Sequence, residues 1–328
     1  MRRECAKLFY LTCEFHMLSP NRRTFAELAA PAAPAVFVVL WSSGFIGAKF
    51  GLPYIEPLTF LGVRMTLVVL ILGAILMFVR ARWPNSTEIA HSMAAGLMVH
   101  GLYLGGVFIA LSQGVPAGIS ALLPGLQPII TSTLANRFMG ESVTGRQWLG
   151  LALGLVGVVL VLHDRSISGS GSWLGWGASF VSLIGLTLGT LYQKRYCGAI
   201  DWRTGNLVQY ITVCAVFWLG AFAFETRQIH WSADLVFAIA WLVLVMSLGA
   251  VGLMYWLIRR SAATGFASLF YLVPAVTSLM AYVLFGERLD IISIAGIVVC
   301  ALGVVLASAG AFAKRGAANT GISVIAEN

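Results

Sequence analysis

From residue 34 onward the chain is a succession of apolar windows, each close to the ~20 residues with which a helix crosses ~30 Å of hydrocarbon. Ten windows are expected, at 34–52, 57–79, 89–111, 117–137, 143–162, 173–192, 206–224, 235–257, 262–285 and 291–312. Helices are the only solution for such windows. An unpaired backbone amide in lipid costs several kcal/mol, and no alternating inside/outside pattern of a barrel is visible. Only 10% of the 328 residues are charged, against about 25% in an average soluble domain, too few to cover a water-facing surface. The expected class is an all-α integral membrane protein with ten transmembrane helices.

The windows also repeat. Pro128, Thr131-Ser132, Gly140-Glu141 and Gly157-Val158-Val159 return 146 positions later as Pro274, Thr277-Ser278, Gly286-Glu287 and Gly303-Val304-Val305. Ala117 and Ala121 fall on Ala263 and Ala267, and Gly150 falls on Gly296. The early windows repeat more faintly at an offset of 145, where Gly44 meets Gly189, Lys49 meets Lys194, Thr59 meets Thr204 and Arg64 meets Gln209. Two five-helix halves are therefore expected at 34–165 and 173–312, joined by a Gly/Ser-rich linker at 166–172. Five is odd, so the second half enters the membrane from the opposite side, an inverted repeat of the kind used by secondary transporters.

Basic residues set the orientation. With the N-terminus inside, sixteen Lys and Arg lie in inner segments and four, Lys49, Arg165, Arg227 and Arg288, in outer ones. Both termini, a basic tail at 1–33 and a second tail at 313–328, are expected in the cytoplasm. Residues 1–16 show no pattern with a structural task, and Met17 offers an alternative start. The net charge of +8 is dealt out singly or in pairs between apolar segments, which excludes a nucleic-acid face. Cys5, Cys13, Cys197, Cys214 and Cys300 form no C-x-x-C pair, so neither a disulfide framework nor a zinc site is indicated, and no metal or cofactor is expected.

The motif Trp41-Ser-Ser-Gly-Phe-Ile-Gly-Ala-Lys49, the segment 57–64 and the two blocks running from Pro through Gly-Glu to Gly-Val-Val resemble the EamA-type transporters of the drug/metabolite transporter superfamily. The likeness covers nearly all of 36–311. It implies two five-helix repeats in the inner membrane of a bacterium and transport, often efflux, of a small organic metabolite. An integral membrane enzyme is the alternative, but the five histidines form no H-E-x-x-H spacing and no carboxylate pair lies within a window. A noncatalytic scaffold or receptor would carry a sizeable soluble domain or a long loop. A primary pump would carry G-x-x-x-x-G-K-[ST], which is absent.

Arg64 is the most informative single residue. It lies seven positions after Pro57, ~10 Å along the helix at 1.5 Å per residue, where a charge facing lipid costs ~2.5–3.5 kcal/mol or more. It is expected to face the interior or a wet cavity, either as an anchor for an anionic group of the substrate or in a fixed ion pair, with Glu56 as partner, or a clamp on backbone carbonyls. His100, near the middle of the third window, is read as a satisfied core histidine or as the group through which protons couple to transport. Lys49 and Lys194 are expected to snorkel or to reach a ligand.

Trp41, Ser43, Tyr103, Gln127, Tyr192, Tyr255 and Tyr271 are polar-tipped residues that together describe a site for an uncharged or amphiphilic metabolite, or separately belong to core and interface. Pro124, Pro128 and Pro274 are expected to bend the fourth and ninth helices, as packing kinks or as matched gates. Gly140 reads as a helix stop with Glu141 near the start of the next helix, and Gly286 and Glu287 repeat them. Gly150, Gly154 and Gly157 form a close-approach face that packs within the chain or joins two copies in a homodimer.

Overall fold

The computed structural model describes residues 32–115, 120, 124–139, 143–162, 172–285 and 290–320. The repeated Gly140-Glu141 and Gly286-Glu287 pairs and nearly all of the linker lie outside them. Helices are numbered in chain order: α1 is Ala33–Gly51, α2 Pro57–Phe78, α3 Ser86–Ser112, α4 Gln127–Met139 and α5 Gly145–Leu162. Then come α6 Trp173–Tyr196, α7 Trp202–Phe224, α8 Ala233–Arg260, α9 from Ala263 through Leu272–Phe285, and α10 Ile291–Thr320. Seven of them, α1, α2, α3 and α6 to α9, are long and apolar enough to cross a membrane. Among the described residues there is no strand beyond one isolated bridge, Ile55 to Ile229. α10 runs past the expected end at 312 as far as Thr320.

Residues 37–328 form one compact unit; of residues 1–36, only the first turn of α1 and the residue before it are described. In the larger unit α2 packs on α7, α4 on the start of α9, α5 on α10, and α3 on α6. α1 meets α8 through glycines: a Cβ on Gly44 would lie 2.7 Å from the Met246 methyl, and one on Gly47 3.0 Å from Leu242. On α6, Gly189 stands in the same way against Val99 and Met98 of α3.

The α5–α10 seam is closer still. A Cβ on Gly150 would lie 2.5 Å from the Ala307 backbone nitrogen, one on Gly157 2.5 Å from that of Cys300, and one on Gly303 2.5 Å from that of Gly154. Only hydrogen at these positions lets the two backbones touch, which is how small residues bind helices where lipid supplies no hydrophobic drive. The glycine face is thus occupied within the chain.

Two pairs of helices depart from α geometry at matching places. α3 contains a π segment at Leu97–Leu102 and α8 one at Trp241–Ala250. α4 is preceded by a 3₁₀ turn at Pro124–Leu126, and α9 is broken by one at Leu269–Tyr271. Each of the three prolines stands at or just after such an interruption of the α-helical ladder, as expected of a residue without an N–H. Pro124 opens a 3₁₀ turn, Pro128 is the second residue of α4, and Pro274 is the third residue of Leu272–Phe285. In a first turn the missing N–H leaves nothing unpaired, so each helix is interrupted upstream and proline restarts it.

The ends are tied across the chain. Glu225, which follows α7, accepts from the Leu58 and Thr59 backbone nitrogens, each at 2.7 Å, and from Thr59 Oγ1 at 2.6 Å. It thereby caps α2, where a carboxylate complements the positive helix end. At the opposite end of this helix pair, Thr204 Oγ1 in the first turn of α7 donates to the Arg82 carbonyl at 2.7 Å. The Glu56 carboxylate accepts from Thr226 Oγ1 at 2.9 Å and from the Arg227 backbone nitrogen at 2.7 Å. Burial works against that charge, but the bonds from Thr226 and Arg227 outweigh it and lower its pKa. Glu56 is therefore engaged by the loop after α7, and its expected pairing with Arg64 does not occur.

Candidate functional site

Arg64 extends from α2 into the centre of the bundle and is only 2% exposed. Its Nε donates to Ser247 Oγ at 3.1 Å, and Ser247 Oγ donates in turn to the Leu242 carbonyl five residues back. That i to i−5 spacing belongs to the π segment of α8. Widening a helix by one residue per turn turns side chains to directions an α-helix does not offer, and such segments recur at functional sites. His100 lies in the matching π segment of α3. Both irregular segments thus deliver polar side chains to one place.

The cavity there is lined by α1, α2, α3 and α8, with Trp41, Phe45, Arg64, His100, Tyr103 and Met246 among its walls. It leaves about 30 Å³ for the centres of water molecules, where one water needs about 10–15 Å³. As it stands the cavity admits water and is closed to a metabolite. Trp41 stacks on Tyr103 with ring centroids 6.0 Å apart and donates from Nε1 to the Tyr103 hydroxyl at 3.1 Å. Two larger hollows, of about 950 and 610 Å³, are open apolar grooves on the outside of the bundle.

Behind the cavity runs a chain of buried hydrogen bonds. His100 Nε2 lies 3.2 Å from the Tyr255 hydroxyl, which donates to Gln209 Oε1 at 2.8 Å, and Gln209 Nε2 donates to Gln193 Oε1 at 3.1 Å. With the Tyr255 proton committed to Gln209, the neutral imidazole carries its proton on Nε2 and keeps Nδ1 as an acceptor. The His100 ring rests on Tyr210 with centroids 4.9 Å apart, and the Tyr210 hydroxyl donates to the Ser247 carbonyl at 2.6 Å. Tyr255 therefore belongs to the site through His100.

The other expected residues lie elsewhere. Ser43 donates to the Leu40 carbonyl at 2.6 Å, accepts from Trp241 Nε1 at 2.9 Å and lines an outer groove. Tyr192 pairs with His91 Nδ1 at 2.8 Å, beside Tyr196 near the end of α6. Gln127 donates to Thr190 at 3.1 Å, and the Tyr271 ring packs against Gly154. Lys194 Nζ reaches the Ser261 carbonyl at 3.1 Å. Tyr210, Gln209, Gln193 and Ser247 were not singled out in the sequence. Gln209 had a signal, its register with Arg64, and Ser247 had only its polarity within an apolar window.

Among the described residues no three His, Cys, Asp or Glu side chains converge on a metal site. What the arrangement offers is a small chamber with a largely apolar lining that carries one fixed cation, one imidazole, one tyrosine and an indole.

Comparisons with known proteins agree with this architecture. The chain is 25% identical over 276 residues to the uncharacterized inner membrane transporter YedA of Escherichia coli K12, covering 84% of this chain and 89% of the relative. It is 25% identical to the uncharacterized transporter YvbV of Bacillus subtilis, covering 87% and 93%. A probable amino-acid metabolite efflux pump of Escherichia coli K12 is 24% identical, covering 81% and 90%. A solved crystal structure shares the fold with a TM-score of 0.70 at 17% identity, covering 86% of this chain and 97% of the other. The model of the EamA-like transporter family matches residues 32–163 and again 173–309, and the chain belongs to that family.

Proposed function

We propose that the protein is a secondary transporter of the bacterial inner membrane that exports a small organic metabolite by alternating access. In this reading ten helices form two inverted halves, 34–165 and 173–312, with the linker at 166–172 and with the tails 1–33 and 313–328 in the cytoplasm. The observation that carries it is the Arg64 cavity. A buried guanidinium inside an apolar bundle is costly unless it serves something, and the walls around it come from both halves, α1 to α3 and α8.

The inverted arrangement is supported by the way equivalent helices meet. α2 packs on α7, α4 on α9 and α5 on α10, as a two-fold axis between halves allows. Thr59 and Thr204, 145 positions apart, each bond to the chain that follows the second helix of the other half, at opposite ends of the α2–α7 pair. Thr131 and Thr277, also equivalent, are both buried with hydroxyls that lack a partner among the described residues. A second conformation that wets α4 or α9 gives these groups water, which is a physical reason to keep them. Names of relatives that mention efflux favour export over import.

Proton coupling, where it operates, runs through His100, the only imidazole on the cavity wall among the described residues. The test is purified protein in liposomes offered amino acids, organic acids and nucleosides, with and without a pH gradient. Saturable flux of at least one class, lost on Arg64→Gln, is the expected result. Absence of flux for every class, or flux indifferent to Arg64, counts against the reading.

A further inference from the structure

The charge balance of the cavity narrows the substrate class. Arg64 has five N–H donors, and the structure engages one, Nε on Ser247. The terminal nitrogens have no protein partner among the described residues, and they are absent from the sealed polar atoms, so they open on the cavity that Arg64 lines. Glu56 and Glu225, the carboxylates at the start of α2, are each held there by backbone and hydroxyl donors. No Asp or Glu among the described residues lines the cavity. Among those residues the chamber therefore holds a positive charge with no counter-charge.

We propose that the solute is a small organic monoanion. A single carboxylate sits on the open face of the Arg64 guanidinium, and an uncharged apolar or aromatic body lies against Trp41, Phe45 and Phe108. Planar guanidinium and carboxylate match as a two-bond fork. One anionic charge neutralises the site, whereas a second would be left uncompensated inside the bilayer. An α-ammonium group would meet the Arg64 charge and no carboxylate, so a zwitterionic amino acid fits less well than the acid without its amine. The proposal rests on reading this cavity as the site of the transported solute.

The experiment uses the full-length protein in detergent micelles. Its unfolding temperature is followed with benzoate, phenylacetate and hexanoate, with the three matching amides, and with benzylamine, phenethylamine and hexylamine. At least one carboxylate raises the midpoint at a tenfold lower concentration than its amide or amine; Arg64→Lys weakens that response and Arg64→Gln removes it. Should Arg64→Gln fail to fold, Ser247→Ala frees the guanidinium from its anchor while keeping the charge, and carboxylate affinity falls several-fold. Equal responses across a matched set, a response to amides or amines alone, or a carboxylate response that survives Arg64→Gln overturns the assignment. The same compounds are then offered to liposomes. Flux of neutral solutes without any carboxylate response overturns this inference and leaves the transport reading standing. A carboxylate response without flux upholds the charge preference and counts against transport.

Discussion

The seam between α5 and α10 and the wall between α1 and α8 are both built on glycine, and they differ in what the glycine faces. At the seam the neighbour is backbone: the Cys300 nitrogen for Gly157, the Ala307 nitrogen for Gly150. At the wall the neighbour is the end of a flexible side chain, the Met246 methyl for Gly44. Backbone cannot yield without moving a helix, whereas a thioether changes rotamer at little cost. The molecule thus joins α5 and α10 rigidly in one place and walls its central cavity with a deformable side chain in another. That division suits a protein whose halves stay together while its centre opens.

The same substitution at each glycine sharpens the contrast. Gly157→Ala places a methyl group on the α10 backbone, and the overpacking cost stands at the top of the ~1–3 kcal/mol range. A fall in unfolding midpoint, read by heating the detergent-solubilised protein, checks it. Tyr255→Phe comes next. It strips His100 of its acceptor and Gln209 of a donor; water from the adjoining cavity pairs with the freed groups and holds the combined cost to ~1–2 kcal/mol. Its added signature is a changed pH dependence of transport, because His100 loses the bond that fixes its tautomer.

Gly44→Ala costs less than ~1 kcal/mol, since Met246 gives way, and its effect appears in transport rate rather than in stability. Equal destabilisation at Gly44 and Gly157 would erase the distinction between seam and wall. The smallest effect concerns the ends of α2 and α7 where Glu56 and Glu225 lie. The Glu56 pKa is lowered in the folded protein, so its stabilising contribution is present above the ordinary carboxylate value and is lost as pH falls through the lowered one. Glu56→Gln is expected to flatten the acid limb of a stability-against-pH curve only slightly, because the group is exposed and screened.

The spans were legible because length and hydropathy are set by the bilayer: the expected window at 57–79 and the helix Pro57–Phe78 differ by one residue. The glycine seam was legible because small-residue spacing has one main use in lipid. The directions in which side chains point were harder to read. A helix that is apolar on every side gives no facing signal, as its outer face meets lipid rather than water. Trp41, Arg64, His100 and Tyr103 do converge on one cavity, while Ser43 and Tyr192, equally polar-tipped, turn to an outer groove and to the end of α6. The π segments of α3 and α8 escaped notice because they arise from packing and leave no residue code. The prolines were legible as interruptions, because a missing N–H frees the carbonyl one turn upstream; that the break takes 3₁₀ form was not.

The central claim, that the Arg64 cavity is reached from each side of the membrane in turn, is tested most directly by thiol accessibility. Val107 lines the cavity from α3. In a variant with its native cysteines replaced, Val107→Cys is exposed to a membrane-impermeant maleimide in right-side-out and in inside-out vesicles. The account predicts labelling from both sides, slowed from both by a transported solute. Labelling from one side only, or from neither, would contradict it.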